Sequence, residues 1–410
     1  MDILWLPSTK QISDSLPIQH NYPTVFQLNL QQEYERIIGD SCQFMIFQNS
    51  DIPTYPPQLI LPIITDHTVK CILPFRSNKR IPCINYIHNN IPLARSAQPR
   101  TGLTNQRNPQ DEHLINLILY KDSNFIIDAR PKLNVQVNQI KGLGTETNNY
   151  RGCVRIYLGI DNIHKMREYY TDIISNLSNI NLDMQWFHQL SKICRGAALI
   201  VYALDTQHIP CLIHCSDGWD RTPQLTAISM LCLDGYYRDL NGFLKLIEME
   251  FGYYSHKFKD RLGYTELSEN PNKFKHQIAN NIPQLDMFRQ RSPILLQFIW
   301  VVYLLVKKYP NAFSFDEECL GYMIQVFYKG YKEALANTVA ERVLGSSSMY
   351  DDILHHYTDK QQEIIDKKSI LDPGQVDIIM WNELYIKHGY PVNVTQARTV
   401  MSYPIDIVNK

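Results

Sequence analysis

The chain has 410 residues, 44% of them hydrophobic and 20% charged, with a formal net charge of −1. That balance belongs to a globular protein with a substantial core and excludes a disordered or fibrous chain. It also excludes the broad basic field that draws a protein to nucleic acid or an acidic bilayer, so affinity for an anion must come from a local patch.

The N-terminus MDILWLPSTK begins acidic, and its apolar stretch is too short for a signal peptide. Residues 1–50 mix Pro, Gln and Asn with short apolar runs and stand as an unassigned N-terminal extension. Strands are expected at PQLILPIIT (57–65), CINYIH (83–88), NFIIDARP (124–131) and RGCVRIYLGI (151–160). Helical spacing of apolar residues runs through 162–177, at Ile163, Met166, Tyr170, Ile173 and Ile174, and again through 184–204. A short buried strand, PCLIHC, follows, and then the helix TPQLTAISMLCLDGYY. Further helices are expected at about 237–256, 292–307 and 316–335. Strands alternating with helices indicate an α/β domain, spanning 51–345, with a helical extension over 346–410 packed on it. The longest apolar stretch, PILLQFIWVVYLLV (293–306), is interrupted by Gln297. A bilayer span takes ~20 apolar residues, so this is a buried core helix and no transmembrane segment.

The nine cysteines lie at 42, 71, 83, 153, 194, 211, 215, 232 and 319. None forms a Cys-x-x-Cys pair and no His cluster has zinc-ligand spacing, which points to a reducing compartment and to a protein without a metal. One cysteine stands apart. IHCSDGWDRTPQ (213–224) sets Cys215 six residues before Arg221, between a buried strand and a helix. The spacing alone is weak, because CLDGYYR repeats it from Cys232 to Arg238 inside an expected helix, where Cys232 reads as core. The strand–loop–helix context separates the two. A loop entering a helix N-terminus can turn its backbone N–H groups inward as an anion nest, built here from Ser216, Gly218 and Trp219. Arg221 adds a bidentate fork for two phosphate oxygens, and Pro223 suits the first helical turn. A thiol of pKa ~8.5 is only about 3% ionised at pH 7, and a cationic helix terminus lowers that pKa to ~3.5–7.5. The stretch therefore reads as a phosphate cradle with the thiolate of Cys215 at its floor.

HCSDGWDRT resembles the active-site signature of the myotubularins, Cys-dependent phosphatases of the 3-phosphate on phosphoinositides. PFRSNKRIPCINYIH (74–88), SAQP (96–99), IIDARP (126–131), DNIHKMRE (161–168), LDGYYRDLNGF (233–243), SHKF (255–258) and RSPILLQF (291–298) also look like myotubularin segments, in the same order. The resemblance covers roughly 50–340. It implies a protein tyrosine phosphatase-like fold and removal of the D3 phosphate from phosphatidylinositol 3-phosphate and the 3,5-bisphosphate, with no metal or organic cofactor. It places the general acid inside the loop, at Asp220 in preference to Asp217, either of which could otherwise cap the helix. Thr222 could hydrogen-bond the sulfur, and His214 reads as a structural histidine holding the loop.

By position, the resemblance assigns Asn138, Asn162 and Ile163 to the inositol pocket, and Lys257 with Arg261 to the other head-group phosphates. The family usually has arginine where this chain has Lys257, which keeps the charge and loses the fork. Pro223 in place of alanine, and GLGTET (142–147) in place of a glycine-rich loop, mark a divergent member. Myotubularins generally carry an N-terminal PH-like domain, for which the ~50 residues before the first matching segment are too few. Recruitment to the membrane carrying the lipid must then use the catalytic face, the chain ends or a partner. The expected location is cytoplasmic, transiently at endosomal-type membranes, or a host-cell cytosol if the source is an intracellular microbe. A phosphotyrosine phosphatase and a non-catalytic phosphoinositide-binding scaffold remain as alternatives.

Overall fold

Strands and helices alternate to build an eight-stranded mixed sheet wrapped by helices in the computed structural model. It describes residues 24–263, 290–331, 334, 336–342 and 348–386, with the backbone alone of 386, 398–399 and 406–408. Residues 1–23 of the N-terminal extension, and most of the chain after 386, lie outside the described residues.

The sheet strands are β1 (Phe44–Gln48), β2 (Gln58–Pro62), β3 (Cys83–His88), β4 (Ile91–Ser96), β5 (Asn124–Asp128), β6 (Cys153–Tyr157) and β7 (Cys211–His214). Two short strands, β8 (Asp377–Ile378) and β9 (Arg398–Thr399), form a separate ribbon, and β10 (Asp406–Val408) returns to the main sheet. The spatial order is β1-β2-β3-β4-β7-β5-β6-β10. Neighbours from β1 to β4 are antiparallel, β4, β7, β5 and β6 are mutually parallel, and β10 closes the edge antiparallel to β6. In β7 every side chain is buried. A central parallel strand covered on both faces has no polar side to show, and so it reads as one unbroken apolar run.

The boundary drawn at residue 51 falls between two paired strands, since β1 aligns with β2 from Phe44 opposite Pro62 to Gln48 opposite Gln58. Ahead of β1, the helix Leu30–Ile38 buries Leu30, Tyr34 and Ile37. The C-terminal segment contributes the helices Ser348–Tyr357 and Asn382–Ile386, and its extended pieces β8, β9 and β10 besides. Asp351 ties the two ends together by accepting from the Val25 and Phe26 amides at 2.8 and 2.7 Å.

Three helices stop short of their sequence expectation. The one after β7 runs Arg221–Leu233, because the Asp234 side chain caps a new 3-10 turn by accepting from the Tyr236 amide. The next runs Leu240–Ile247 and relaxes into a π-turn over Glu248–Gly252. The third ends at Phe327, three residues before Gly330 at φ +91°. The apolar stretch at 293–306 is the buried helix Ile294–Lys308, whose Trp300 contacts Trp186 and Trp381 at ring separations of 5.7 and 6.3 Å. Among the described residues no helix is long and apolar enough to cross a membrane.

Candidate active site

Register puts Ser96 of β4 and Asp128 of β5 level with His214 of β7. The three strands therefore end together, and the loops after them issue side by side. The Gln98 amide donates to the Ser216 carbonyl at 3.0 Å and the Ala129 amide to the His214 carbonyl at 2.9 Å, which stitches the three exits into one rim. Ligands of open α/β sheets bind at such carboxyl ends, where chain connections diverge.

Cys215 is the first residue beyond β7 and is buried, 2% exposed. The Gly218 amide points back at its Sγ from 3.3 Å. Burial alone would raise this thiol. The charge of Arg221 and the hydroxyl and amide of Thr222 outweigh it and hold the pKa below the ordinary value. Thr222 Oγ1 is buried with no other partner. The amides of Ser216, Asp217, Trp219 and Asp220 donate to no acceptor among the described residues, which leaves them free for a tetrahedral anion. Gly218 makes the curl possible: its φ is +78°, and a Cβ there would lie 2.5 Å from the Ser96 carbonyl oxygen. Arg221 opens the helix, braced by bonds to the Ile160 carbonyl at 3.2 Å and to Ser216 Oγ at 3.3 Å. Pro223 sits in the first turn, where it removes no intrahelical bond.

The two loop aspartates are held differently. Asp220 makes no cap bond to the helix it precedes. Its carboxylate is instead clamped by Arg261, Nε at 3.0 Å and Nη2 at 2.9 Å, with His256 Nδ1 at 3.2 Å. Burial would raise it, but Arg261 and His256 hold it well below the usual carboxylate range. So held, the carboxylate of Asp220 is the partner of an ion pair in the resting site. Asp217 turns the other way and accepts from Ser77 Oγ at 2.8 Å and Asn78 Nδ2 at 2.7 Å.

The expected head-group residues sit on three helices or at their starts. Asn138, on the helix Lys132–Ile140, donates to Gln98 Oε1 at 3.4 Å, one bond from the cysteine loop. Asn162 caps the helix Ile163–Ser175 through the His164 and Lys165 amides, and the Ile163 carbonyl accepts from Ser292. These two thus position a helix start. Lys257 Nζ lies 4.7 Å from the centre of the Trp219 ring, whose other neighbour is the Arg80 guanidinium. Arg261 is spent on Asp220 and on the Gln290 carbonyl. Lys257 thus stands against the tryptophan and Arg261 beside Asp220.

Apart from His214, read as holding the loop, the sequence assigned no role to a set of buried charges beneath the loop. Arg95 Nη2 donates to the Gly218 carbonyl at 2.7 Å and Nη1 pairs with Glu250 at 2.7 Å. Arg130 forms a bidentate pair with Asp128 and also binds Gln98. His214 Nδ1 faces the Cys215 carbonyl at 3.1 Å, with Nε2 2.9 Å from Glu146, which also pairs with the fully buried Arg76. The opposing charges overcome burial on both sides, holding His214 above and Glu146 below their ordinary values. The signal was present in ARS and DAR at strand ends, where charges interrupt otherwise apolar runs.

Among the described residues no three His, Cys, Asp or Glu side chains are placed to hold a metal ion. The site sets a buried thiol, its pKa lowered by Arg221 and Thr222, among loop amides and a guanidinium.

A family model for the myotubularin-like phosphatase domain matches residues 13–343. The chain is 30% identical over 367 residues to phosphatidylinositol-3,5-bisphosphate 3-phosphatase mtm-1 of Caenorhabditis elegans, covering 78% of this chain and 59% of that one. It is 35% identical over 295 residues to phosphatidylinositol-3,5-bisphosphate 3-phosphatase MTMR2 of Gallus gallus, covering 67% and 48%. To myotubularin of Xenopus tropicalis it is 33% identical over 295 residues, covering 67% and 46%. The chain thus spans about half the length of the curated relatives it matches.

Proposed function

For a chain that belongs to the myotubularin-like phosphatase family, we propose removal of the D3 phosphate from phosphatidylinositol 3-phosphate and from the 3,5-bisphosphate. The observation that carries this reading is the ring of unengaged amides around a buried cysteine whose pKa is lowered by Arg221. The Cys215 thiolate attacks phosphorus, the P–O bond to the inositol ring breaks, and a cysteinyl-phosphate forms. Arg221 and the loop amides neutralise the equatorial oxygens as charge redistributes. Water then attacks the phosphorus, restoring the thiolate and releasing inorganic phosphate.

The departing inositol oxygen needs a proton. In the resting site Asp220 is locked by Arg261, and a substrate phosphate competes for that same arginine. A bound anion beside Asp220, with Arg261 shared, raises its proton affinity. We therefore assign Asp220 to proton transfer in the loaded site and Arg261 to gating it. In the second step the ionised Asp220 accepts the proton of the attacking water. Lys257, beside Trp219, is the cation assigned to a phosphate at another ring position. Such a substrate places the work at a cytoplasmic membrane face, of endosomal type.

The test is a panel of soluble short-chain phosphoinositides, read for inorganic phosphate and product identity, with phosphotyrosine peptides alongside. Release from the D3 position, abolished by Cys215→Ser, supports the reading. Preference for the peptides, or release from D4 or D5, overturns it. Lys257→Ala should raise KM for the 3,5-bisphosphate more than for the 3-phosphate.

A further inference from the structure

Eleven large apolar side chains are exposed among the described residues, and four of them crowd one place. Leu133 (69% exposed), Val137 (48%) and Ile140 (72%) lie on the helix Lys132–Ile140, with Leu103 (68%) on the neighbouring turn. At 100° per residue the three helical positions fall within about 60° of one another. Val135, on the opposite side, is the helix's buried residue. The turn is attached to the helix end: the Gly102 amide donates to the Leu143 carbonyl at 3.2 Å. An amphipathic helix whose apolar side is exposed among the described residues gains by burial elsewhere.

We propose that Leu103, Leu133, Val137 and Ile140 form a ridge that enters an anionic lipid bilayer beside the catalytic loop. This rests on the phosphoinositide reading above. Two further observations select the occupant. The first is charge: residues 96–110 and 129–145 contain no Asp or Glu, while Arg100, Lys132 and Lys141 are exposed around the ridge. Apolar residues rimmed by cations match an interface of acyl chains below anionic head groups. The second is continuity: Asn138 of this helix reaches Gln98, whose amide holds the Ser216 carbonyl of the cysteine loop. A helix seated in the interface therefore sets the loop beside head groups still anchored in the membrane.

The experiment compares wild type with Leu133→Gln/Val137→Gln/Ile140→Gln. Sedimentation uses phosphatidylcholine vesicles with 20% phosphatidylserine, and activity uses a short-chain soluble phosphatidylinositol 3-phosphate in parallel with the same head group in vesicles. The triple variant should bind vesicles at least about tenfold more weakly. It should lose vesicle hydrolysis to match and keep soluble-substrate turnover within about twofold. Unchanged sedimentation overturns the proposal, as does an equal loss on soluble and vesicular substrate. A change of oligomeric state with vesicle binding intact also overturns it, by assigning the ridge to a protein contact. Sedimentation on phosphatidylserine needs no catalysis, so it judges the ridge even if D3-phosphate release fails. Ile140→Trp gives a second reading should the triple variant not fold. Its fluorescence should shift to the blue on adding the anionic vesicles, and an unshifted emission overturns the proposal.

Discussion

Gly218→Ala isolates the feature that turns the loop toward the sulfur. At φ +78° an alanine costs about 1–2 kcal/mol relative to glycine. Its Cβ would also lie 2.5 Å from the Ser96 backbone oxygen, at a strand end held by register to β7. Neither backbone yields freely, and forced overpacking of this kind costs about 1–3 kcal/mol. The sum, about 2–5 kcal/mol, is a large share of a stability on the order of 5–15 kcal/mol. If the loop moves to relieve the contact, the Gly218 amide leaves Cys215, and misplacement by an ångström costs roughly 10²-fold in rate. Gly142→Ala is the matched control, because its φ is +77° and no atom lies within 4 Å of the added methyl. Urea denaturation midpoints and phosphate release from a soluble lipid substrate should be measured for both. The control should lose only the conformational part and keep its kcat/KM within about threefold. If Gly218→Ala matched it in midpoint and in rate, the close approach to Ser96 would not shape the site.

Asp220→Asn leaves Arg261 buried without its partner and should destabilise by roughly 3–5 kcal/mol at pH 7. The native Asp220 is depressed below its unfolded value, so its contribution is full above about pH 4 and lost as pH falls through the native pKa. The gap between wild type and variant should therefore be smaller at pH 3 than at pH 7; an equal gap in denaturation curves refutes the ion pair. His214 is raised instead, so its contribution is full below about pH 6.5 and declines as pH climbs through the native pKa. His214→Gln should flatten the fall in stability above pH 6.5, and an unchanged slope refutes its pairing with Glu146. Alkylation of Cys215 by iodoacetamide should titrate below the ordinary thiol value of ~8.5, and Arg221→Ala should move that titration upward. A profile the same in both proteins would remove Arg221 from control of the thiolate.

How far the sequence reached depended on the range of the interaction. The nucleophile was legible because strand, glycine turn and helix start are contiguous, and local sterics and backbone polarity decide what such a segment can do. Cys232 was separable from Cys215 on the same ground, being flanked by Leu231 and Leu233 inside a helix that buries it. The central strands were legible because burial on both faces writes itself as an apolar run.

The short edge strands were not legible. The pairing of β10 with β6 joins residues some 250 apart in the chain, and nothing within three residues announces it. The acid–base state was hidden for the same reason. The resemblance offered Asp220 as the acid, and only the fold brings Arg261, 41 residues later, onto its carboxylate. The pairs Arg95 with Glu250 and His214 with Glu146 are likewise long-range contacts. What the sequence determined by itself was the presence of a thiolate cradle and the α/β frame that presents it, since both follow from neighbouring residues. The tertiary structure alone decided which charges stand beside that cradle. Coulomb interaction in a buried site depends on distance through space, which chain separation does not encode.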